Sequence, residues 1–436
     1  MGDSLAFSAT NRAKFLQRAA NTDFDFVFTS CGFREAMFCL FAANQGFKCA
    51  IFCPEDFSCK LHPVVELKTA NHKALVLLQK SFPHLILPDE YLNINPKMSA
   101  IKSLLTANIS HRDLSKYEAL LKVKDGDRVY LDREFKLNAN RLLISILKTA
   151  VQVGVTVLNY ISVEKKNSSS LLACNKLKKE SAQVVLISKQ ILELEEQTKC
   201  SGEMELHILL DRKHLFLKRS LKFTVQNQLV RLVRYQDYFL LICKTDKNER
   251  EMLRSVLNHL NNLLYWEDKF EEEDVIACQI SRSFEWLTID RQLSSLEEMT
   301  NKYLGFSSRQ FLEHISNINA VDTHFEGKTE IQQLIEYGDF RFDEAKQTGI
   351  HPIAFKNMFY RFGSEIEQLT EAAYEGRSKF GSGNKLWEYV QFWNLFQTEM
   401  ICHKQDYFNR IGKKEKFSKY DLIASEQIID DCFSNA

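Results

Sequence analysis

Glycine and proline are scarce in this 436-residue chain, which holds 15 and 6 of them. The glycine share is about half the ordinary ~7%. Glycine is what lets backbone approach a phosphate closely, because a Cβ there collides with the ligand or forbids the required φ. A chain this poor in it is ill suited to wrap an extended dinucleotide. A surplus of one charge is also missing: Lys plus Arg and Asp plus Glu both total 57. No net field therefore selects nucleic acid or an anionic membrane as the main partner. No window approaches ~18 uninterrupted apolar residues, so no transmembrane segment is expected. The stretch MGDSLAFSATNRAKF lacks the positive, apolar, small-residue order of a secretory signal. With 11 cysteines, an odd number scattered along the chain, this predicts a reducing, cytoplasmic setting.

What is present is an ordinary globular composition, 45% hydrophobic and 26% charged, over a length that suits two or three domains. The stretch FDFVFTSCGFREAMFCLFAANQGFKCAIFCPEDF reads as strand, tight turn, helix and strand. Phe24 to Thr29 and Cys49 to Cys53 are expected as buried parallel strands around a helix from Arg34 to Gln45. The turn reads TSCGFREA, in which Ser30 is a candidate N-cap. From Leu75 to Ser115 the pattern is helical and loop-like, with SFPHLILPDEYLNINP at its centre. A helix is expected from Asn138 to Val153, ended by Gly154, then a strand from Val155 to Val163 and a polar loop KNSSS. AQVVLIS, MELHILL, NQLVRLVRYQDYFLLICKTD and EDVIACQISRSF read as further strands, with the helix NEREMLRSVLNHLNNLLYW between the last two. Beyond about Ile335 the pattern is all helix, broken by GRSKFGSGNK. No internal repeat is visible.

With these elements in order, the chain resembles the FAD-dependent glycerol-3-phosphate dehydrogenases along most of its length. The resemblance rests on the opening βαβ text, on SFPHLILP, on YLDREF followed by RLLISILKTAVQVGVTVLNYISV, and on DEAKQTGIHPIAFKNMFYRFGSEI with DYFNRIG. It implies an α/β fold: an FAD-binding Rossmann-like domain interleaved with a mixed-sheet substrate domain over 1–334, then an all-α C-terminal domain over 335–436. The implied activity is oxidation of glycerol 3-phosphate to dihydroxyacetone phosphate, with electrons passed to a quinone. The implied substrate-side residues are His207 on a strand near the flavin, and Arg282 and Arg309 near family arginines; the alternative is a partly exposed strand histidine and surface arginines in salt bridges. Arginine suits a phosphate because its planar fork donates two parallel hydrogen bonds.

The cofactor positions depart from the family pattern. Its G-x-G-x-x-G turn falls here on Ser30, Gly32 and Glu35, and the last puts a carboxylate where the diphosphate would sit. The family's ribose-binding Glu aligns with Cys53, which cannot accept the same paired hydrogen bonds. The loop toward the flavin ring is shortened to SCKLHPVVEL. Two further family turns align with Ile187 to Gln190 and Cys243 to Asp246, without glycine. These losses predict a divergent paralogue in which FAD is absent or weakly bound, acting by binding a protein partner or a phosphorylated metabolite; the alternative is an active dehydrogenase. Phe33, Phe57 and Leu61 are expected to fill volume that FAD occupies in the family. Cys49, Cys53, Cys59 and His62 have a zinc-like composition, but core packing is the better reading of cysteines in an apolar strand, so no metal is expected. NRIGKKEKFSKYD reads as a solvated basic helix end, with peripheral contact to an anionic membrane as the alternative.

Overall fold

The computed structural model describes residues 6–57, 66–69, 73–94, 109–122, 127–166, 170–177, 183–192, 200–211, 217–235, 238–245, 249–265, 269–284, 289–323, 347–350 and 352–411. Helix α1 (Arg12–Ala20) leads into β1 (Asp23–Phe28), α2 (Phe33–Asn44) and β2 (Cys49–Phe52). Then follow β3 (Glu66–Thr69), α3 (Lys73–Ser81), β4 (Ile86–Ile94), α4 (His111–Tyr117), β5 (Val129–Leu137) and α5 (Ala139–Gln152). Strands β6 (Thr156–Leu158), β7 (Ile161–Lys165), β8 (Ser170–Asn175), β9 (Gln183–Leu192) and β10 (Cys200–Asp211) come next. They are followed by β11 (Ser220–Val225), β12 (Gln228–Tyr235), β13 (Tyr238–Thr245), α6 (Glu249–Leu263) and β14 (Val275–Phe284). Helices α7 (Ile289–Leu304), α8 (Ser308–Ser316), α9 (Pro352–Phe362), α10 (Ile366–Phe380), α11 (Asn384–Thr398) and α12 (Lys404–Ile411) complete the described chain.

Two sheets organise these elements. The first has the order β6-β2-β1-β9-β8-β7. Its β6-β2-β1-β9 part is parallel, with Phe26 beside Cys49 and Ala50 beside Thr156. Strands buried on both faces read as continuous apolar runs, as DFDFVF and CAIF do. Helix α2, buried from Phe33 to Ala42 except at Arg34, packs between α5 and α7 over this sheet. The second sheet has the order β14-β10-β13-β12-β11-β4-β5-β3, and α6 covers one of its faces with Met252, Val256 and Leu260. A third core, with Phe355, Met358, Phe362, Ile366, Leu386 and Val390, lies within α9 to α12.

Several elements differ from the sequence reading. The centre of the 75–115 region is strand rather than loop: β4 pairs over its whole length with β5, and Pro88 is accommodated opposite Phe135. The expected strand from Val155 to Val163 is two strands, separated where Tyr160 turns at φ 56°. Ser170 opens a strand, and Ser220 to Val225 is a further strand that the sequence did not announce. Ile187 to Gln190 is no turn but the middle of β9, because Leu186 and Ser188 point inward while Ile187 and Lys189 face solvent without interruption. Cys243 to Thr245 is likewise strand; Asp246 lies outside the described residues.

Candidate functional site

In a doubly wound sheet, ligands lie across the carboxyl ends of the parallel strands. Here that edge begins at the turn after β1. The N-cap of α2 is Gly32, not Ser30, with no side-chain cap. Its carbonyl accepts the first helical hydrogen bond from Ala36 N at 3.0 Å. Glu35, three residues on, curls back over it: a Cβ at Gly32 would lie 2.6 Å from Glu35 Oε2. The carboxylate is buried, 5% exposed, with Arg34 Nη2 3.8 Å from Oε1. A negative group at a helix N-terminus faces unsatisfied N–H groups and the positive end of the dipole. The position where this fold presents backbone to a diphosphate thus already holds an anion from the chain itself.

The end of β2 is closed in the same manner. Cys53 is buried; its N–H donates to Leu158 O, its carbonyl accepts from Ile161 N, and its Sγ donates to Asp56 O at 3.8 Å. Asp56 takes the guanidinium of Arg410 from α12, with Arg410 Nε 3.3 Å from Asp56 Oδ2. Phe57 is buried beneath that guanidinium and beside Phe7, ring centroids 5.6 Å apart. Phe33 is buried as well, whereas Leu61 lies outside the described residues. Beyond β6, the Tyr160 hydroxyl donates to Asp406, which also accepts from the N–H groups of Cys402 and His403 at 2.8 and 2.9 Å. Burial and the neighbouring Asp56 push the Asp406 carboxyl above its ordinary range. Burial opposes the Arg410 charge, but Asp56, Asp406 and Glu399 more than offset this and hold its proton tightly.

The expected substrate-side residues stand on three different elements. His207 is buried on β10, flanked by Gln279 of β14 and Ile242 of β13. Arg282 is placed on β14 opposite Met204. Arg309 stands on α8, which packs against α3; its side chain is 88% exposed and paired with Glu313 at 2.9 Å, one helical turn away. Residues paired directly across a sheet share a face. Through this pairing His207 lies in one row with Arg231, Lys222 and Asn93, on the face opposite the Leu206, Ile208, Leu221 and Leu232 core. Sequence reading did not single out Asp56, Arg410 or Lys222; their partners are remote in the chain, and no local pattern marks them.

For the zinc reading, Cys49 and Cys53 are core residues, while Cys59 and His62 lie outside the described residues. Among the described residues no group of three or more His, Cys, Asp or Glu could hold a metal ion. Most of the basic stretch NRIGKKEKFSKYD likewise lies outside them.

No model of a known protein family matches the sequence, and no curated protein matches it. Solved structures do. The FAD-complexed glycerol-3-phosphate dehydrogenase of Bacillus halodurans superposes with a TM-score of 0.74 at 16% identity, covering 97% of this chain and 92% of that one. Glycine oxidase of Bacillus cereus gives a TM-score of 0.43 at 11% identity, covering 67% of this chain and 98% of its own. The FAD-bound L-alpha-glycerophosphate oxidase of Mycoplasma pneumoniae gives 0.40 at 7%, covering 60% and 83%. The first of these shows that the chain has the fold of an FAD-dependent oxidoreductase over nearly its full length.

Proposed function

We propose that this chain, built on the FAD-dependent oxidoreductase fold, no longer holds FAD and acts by binding a protein partner or a small metabolite. The observation that carries the proposal is the buried Glu35 carboxylate folded over Gly32. A phosphate brought to within ~4 Å of that charge meets a repulsion on the order of 4 kcal/mol at an effective dielectric of 20. The Asp56–Arg410 pair and the Phe7, Phe33 and Phe57 rings support the same reading at the neighbouring strand end. On this reading the residues at the turn after β1 and at the end of β2 do not fit the flavin. The proposal places the partner-binding surface on the helical region, which we take as a domain over 335–436 beside a flavoprotein-like domain over 1–334. It includes a cytoplasmic location; no helix among the described residues is long and apolar enough to cross a membrane.

The second reading is an active FAD-dependent glycerol-3-phosphate dehydrogenase, favoured by the near-complete overlap with the FAD-complexed Bacillus halodurans structure. It requires Glu35 to swing out of the turn and His207 and Arg282 to meet a substrate. The visible absorption spectrum of protein purified without added cofactor separates the two. Colourless protein that takes up no added FAD is the expected result; a stoichiometric flavin spectrum overturns the proposal.

A further inference from the structure

The second sheet carries a polar cluster that neither reading uses. Ser220, Tyr91 and Asp132 are consecutive partners across β11, β4 and β5, and Asp89 pairs with Glu134 one step further along the same face. Lys222 lies in the adjacent row, beside Asn93. Its ammonium donates to Glu134 Oε1 at 2.5 Å, lies 3.7 Å from Asp132 Oδ2 and sits 4.7 Å from the centre of the Tyr91 ring. Asn93 Nδ2 donates to Asp132 Oδ2 at 2.9 Å, and Ser220 Oγ donates to Asp89 Oδ2 at 3.0 Å.

Two atoms in this cluster are left over. Tyr91 is fully buried; its hydroxyl faces Ser220, whose own proton goes to Asp89, and it makes no hydrogen bond of ordinary geometry among the described residues. Glu134 is 7% exposed; one carboxylate oxygen holds Lys222, and the other, Oε2, has no partner among the described residues. Each buried polar atom left unmatched costs roughly what a lost hydrogen bond costs, so such atoms call for an occupant. The local charge selects which one. Asp89, Asp132 and Glu134 outnumber the two cations of this face, Lys222 and its cross-strand partner Arg231, whose charge also reaches Tyr91. An incoming phosphate or carboxylate would face three acids, whereas a hydroxyl or ammonium would find a waiting carboxylate oxygen.

We infer that this face of the second sheet carries a ligand site built by Tyr91, Glu134 and Lys222, for a small molecule that presents hydrogen-bond donors and carries no negative charge. Glu134 Oε2 accepts the donor, Tyr91 adds a hydroxyl that can donate or accept, and Lys222 holds Glu134 in place. Burial, then Asp89 and Glu134, raise the Tyr91 pKa far above its ordinary value against the opposing Ser220 hydroxyl and Arg231 charge, so the phenol keeps its proton and can donate throughout the neutral range. The partly exposed Asp132 and Asn93 mark the open side of the cluster. The site uses neither the turn after β1 nor the end of β2, the two places on which the flavin argument rests.

The test is calorimetric titration of the full chain with three probes: erythritol for a hydroxyl ligand, ethanolamine for an ammonium ligand, and inorganic phosphate. One donor-bearing probe is expected to bind, and whichever does so identifies the donor type; phosphate should give no binding heat. Glu134→Gln should weaken that binding about tenfold by removing a charged acceptor. Tyr91→Phe, which keeps the ring beneath Lys222 and deletes only the hydroxyl, should weaken it about fivefold. Should Glu134→Gln fail to fold, Tyr91→Phe still decides. The inference is overturned if neither donor probe binds, which would mean that the two atoms are met by trapped water alone. It is equally overturned if binding is unchanged in the variants, or if phosphate binds and Glu134→Gln tightens it.

Discussion

Gly32 holds an extended backbone, φ −158° and ψ 180°, that any residue can adopt. Its glycine is therefore required by space alone, and the space is taken by the end of a flexible side chain, Glu35. Gly32→Ala is accordingly expected to push the carboxylate outward at a cost of about 1 kcal/mol, the low end for overpacking. In a Glu35→Ala background the same change should be nearly neutral. Urea unfolding of the four proteins of this double-mutant cycle measures the coupling; additive costs would show that Glu35 does not occupy the turn. A second residue-scale expectation concerns Cys402. Burial pushes its thiol up to about 11, with Asp406 and Asp56 adding to this and Arg12 and Arg410 opposing it. The folded pKa lies above the unfolded one, so the contribution is complete below the ordinary thiol pKa and is lost as pH rises through the folded value. Relative to Cys402→Ala, the wild-type protein should lose stability between about pH 9 and 11. Parallel pH dependence in the two proteins would contradict this.

At the scale of elements, the helical region is joined to α5 by buried ion pairs rather than by apolar contact alone. Arg141 of α5 grips Glu399 with two hydrogen bonds at 2.8 and 2.6 Å and stacks on Phe362, while Lys148, two turns along, pairs with Glu365. Burial works to raise the Glu399 pKa, but Arg141, Lys148 and Arg410 hold it below the ordinary carboxylate range. Its stabilising contribution is therefore present above the unfolded carboxylate pKa and lost as pH falls through the lower folded value. Glu399→Gln should cost about 3–5 kcal/mol, because it leaves buried guanidinium charge uncompensated, and should flatten the acid side of the stability profile. A loss below ~1 kcal/mol, the range of exposed pairs, would refute the pairing. These elements also show what was legible beforehand. The βαβ unit could be read because DFDFVF and CAIF are continuous apolar runs on either side of an apolar helix. Strand β4 was hidden because Pro88, Asp89 and Glu90 imitate a loop, although Asp89 is there to serve a polar sheet face. The α12 pairing was hidden for a different reason: Arg410 and Asp56 are 354 residues apart, and nothing local announces a partner at that range. Gly32 and Glu35 were visible as residue types, but the inward turn of the Glu35 side chain is a rotamer choice that only packing decides.

For the whole molecule, the question is what holds the first sheet and the helical region together. Here the contacts that span the first sheet and the helical region come from the chain: Asp56 to Arg410, Asn159 to Met400, Tyr160 to Asp406, Arg141 to Glu399 and Lys148 to Glu365. The segment before α1 joins the same seam, where Ala9 N donates to Phe396 O at 3.2 Å. Removing residues 335–436 would take Arg410 from Asp56, Glu399 from Arg141 and Glu365 from Lys148 at once. Each is buried in the intact protein, and a buried charge that loses its partner costs about 3–5 kcal/mol. Three such losses are comparable to the entire stability of a typical domain, about 5–15 kcal/mol. The fragment 1–334 is therefore expected not to fold alone, even though it carries both sheets. Hydrogen exchange and chemical denaturation of the fragment are the measurements. A cooperative unfolding transition with protected amides in β1, β2 and β6 would show that the first sheet is independent of the helical region and that the buried pairs join two self-sufficient domains. If the fragment is unfolded and co-expression with 335–436 as a separate chain restores it, the ion pairs across the seam are what complete the fold.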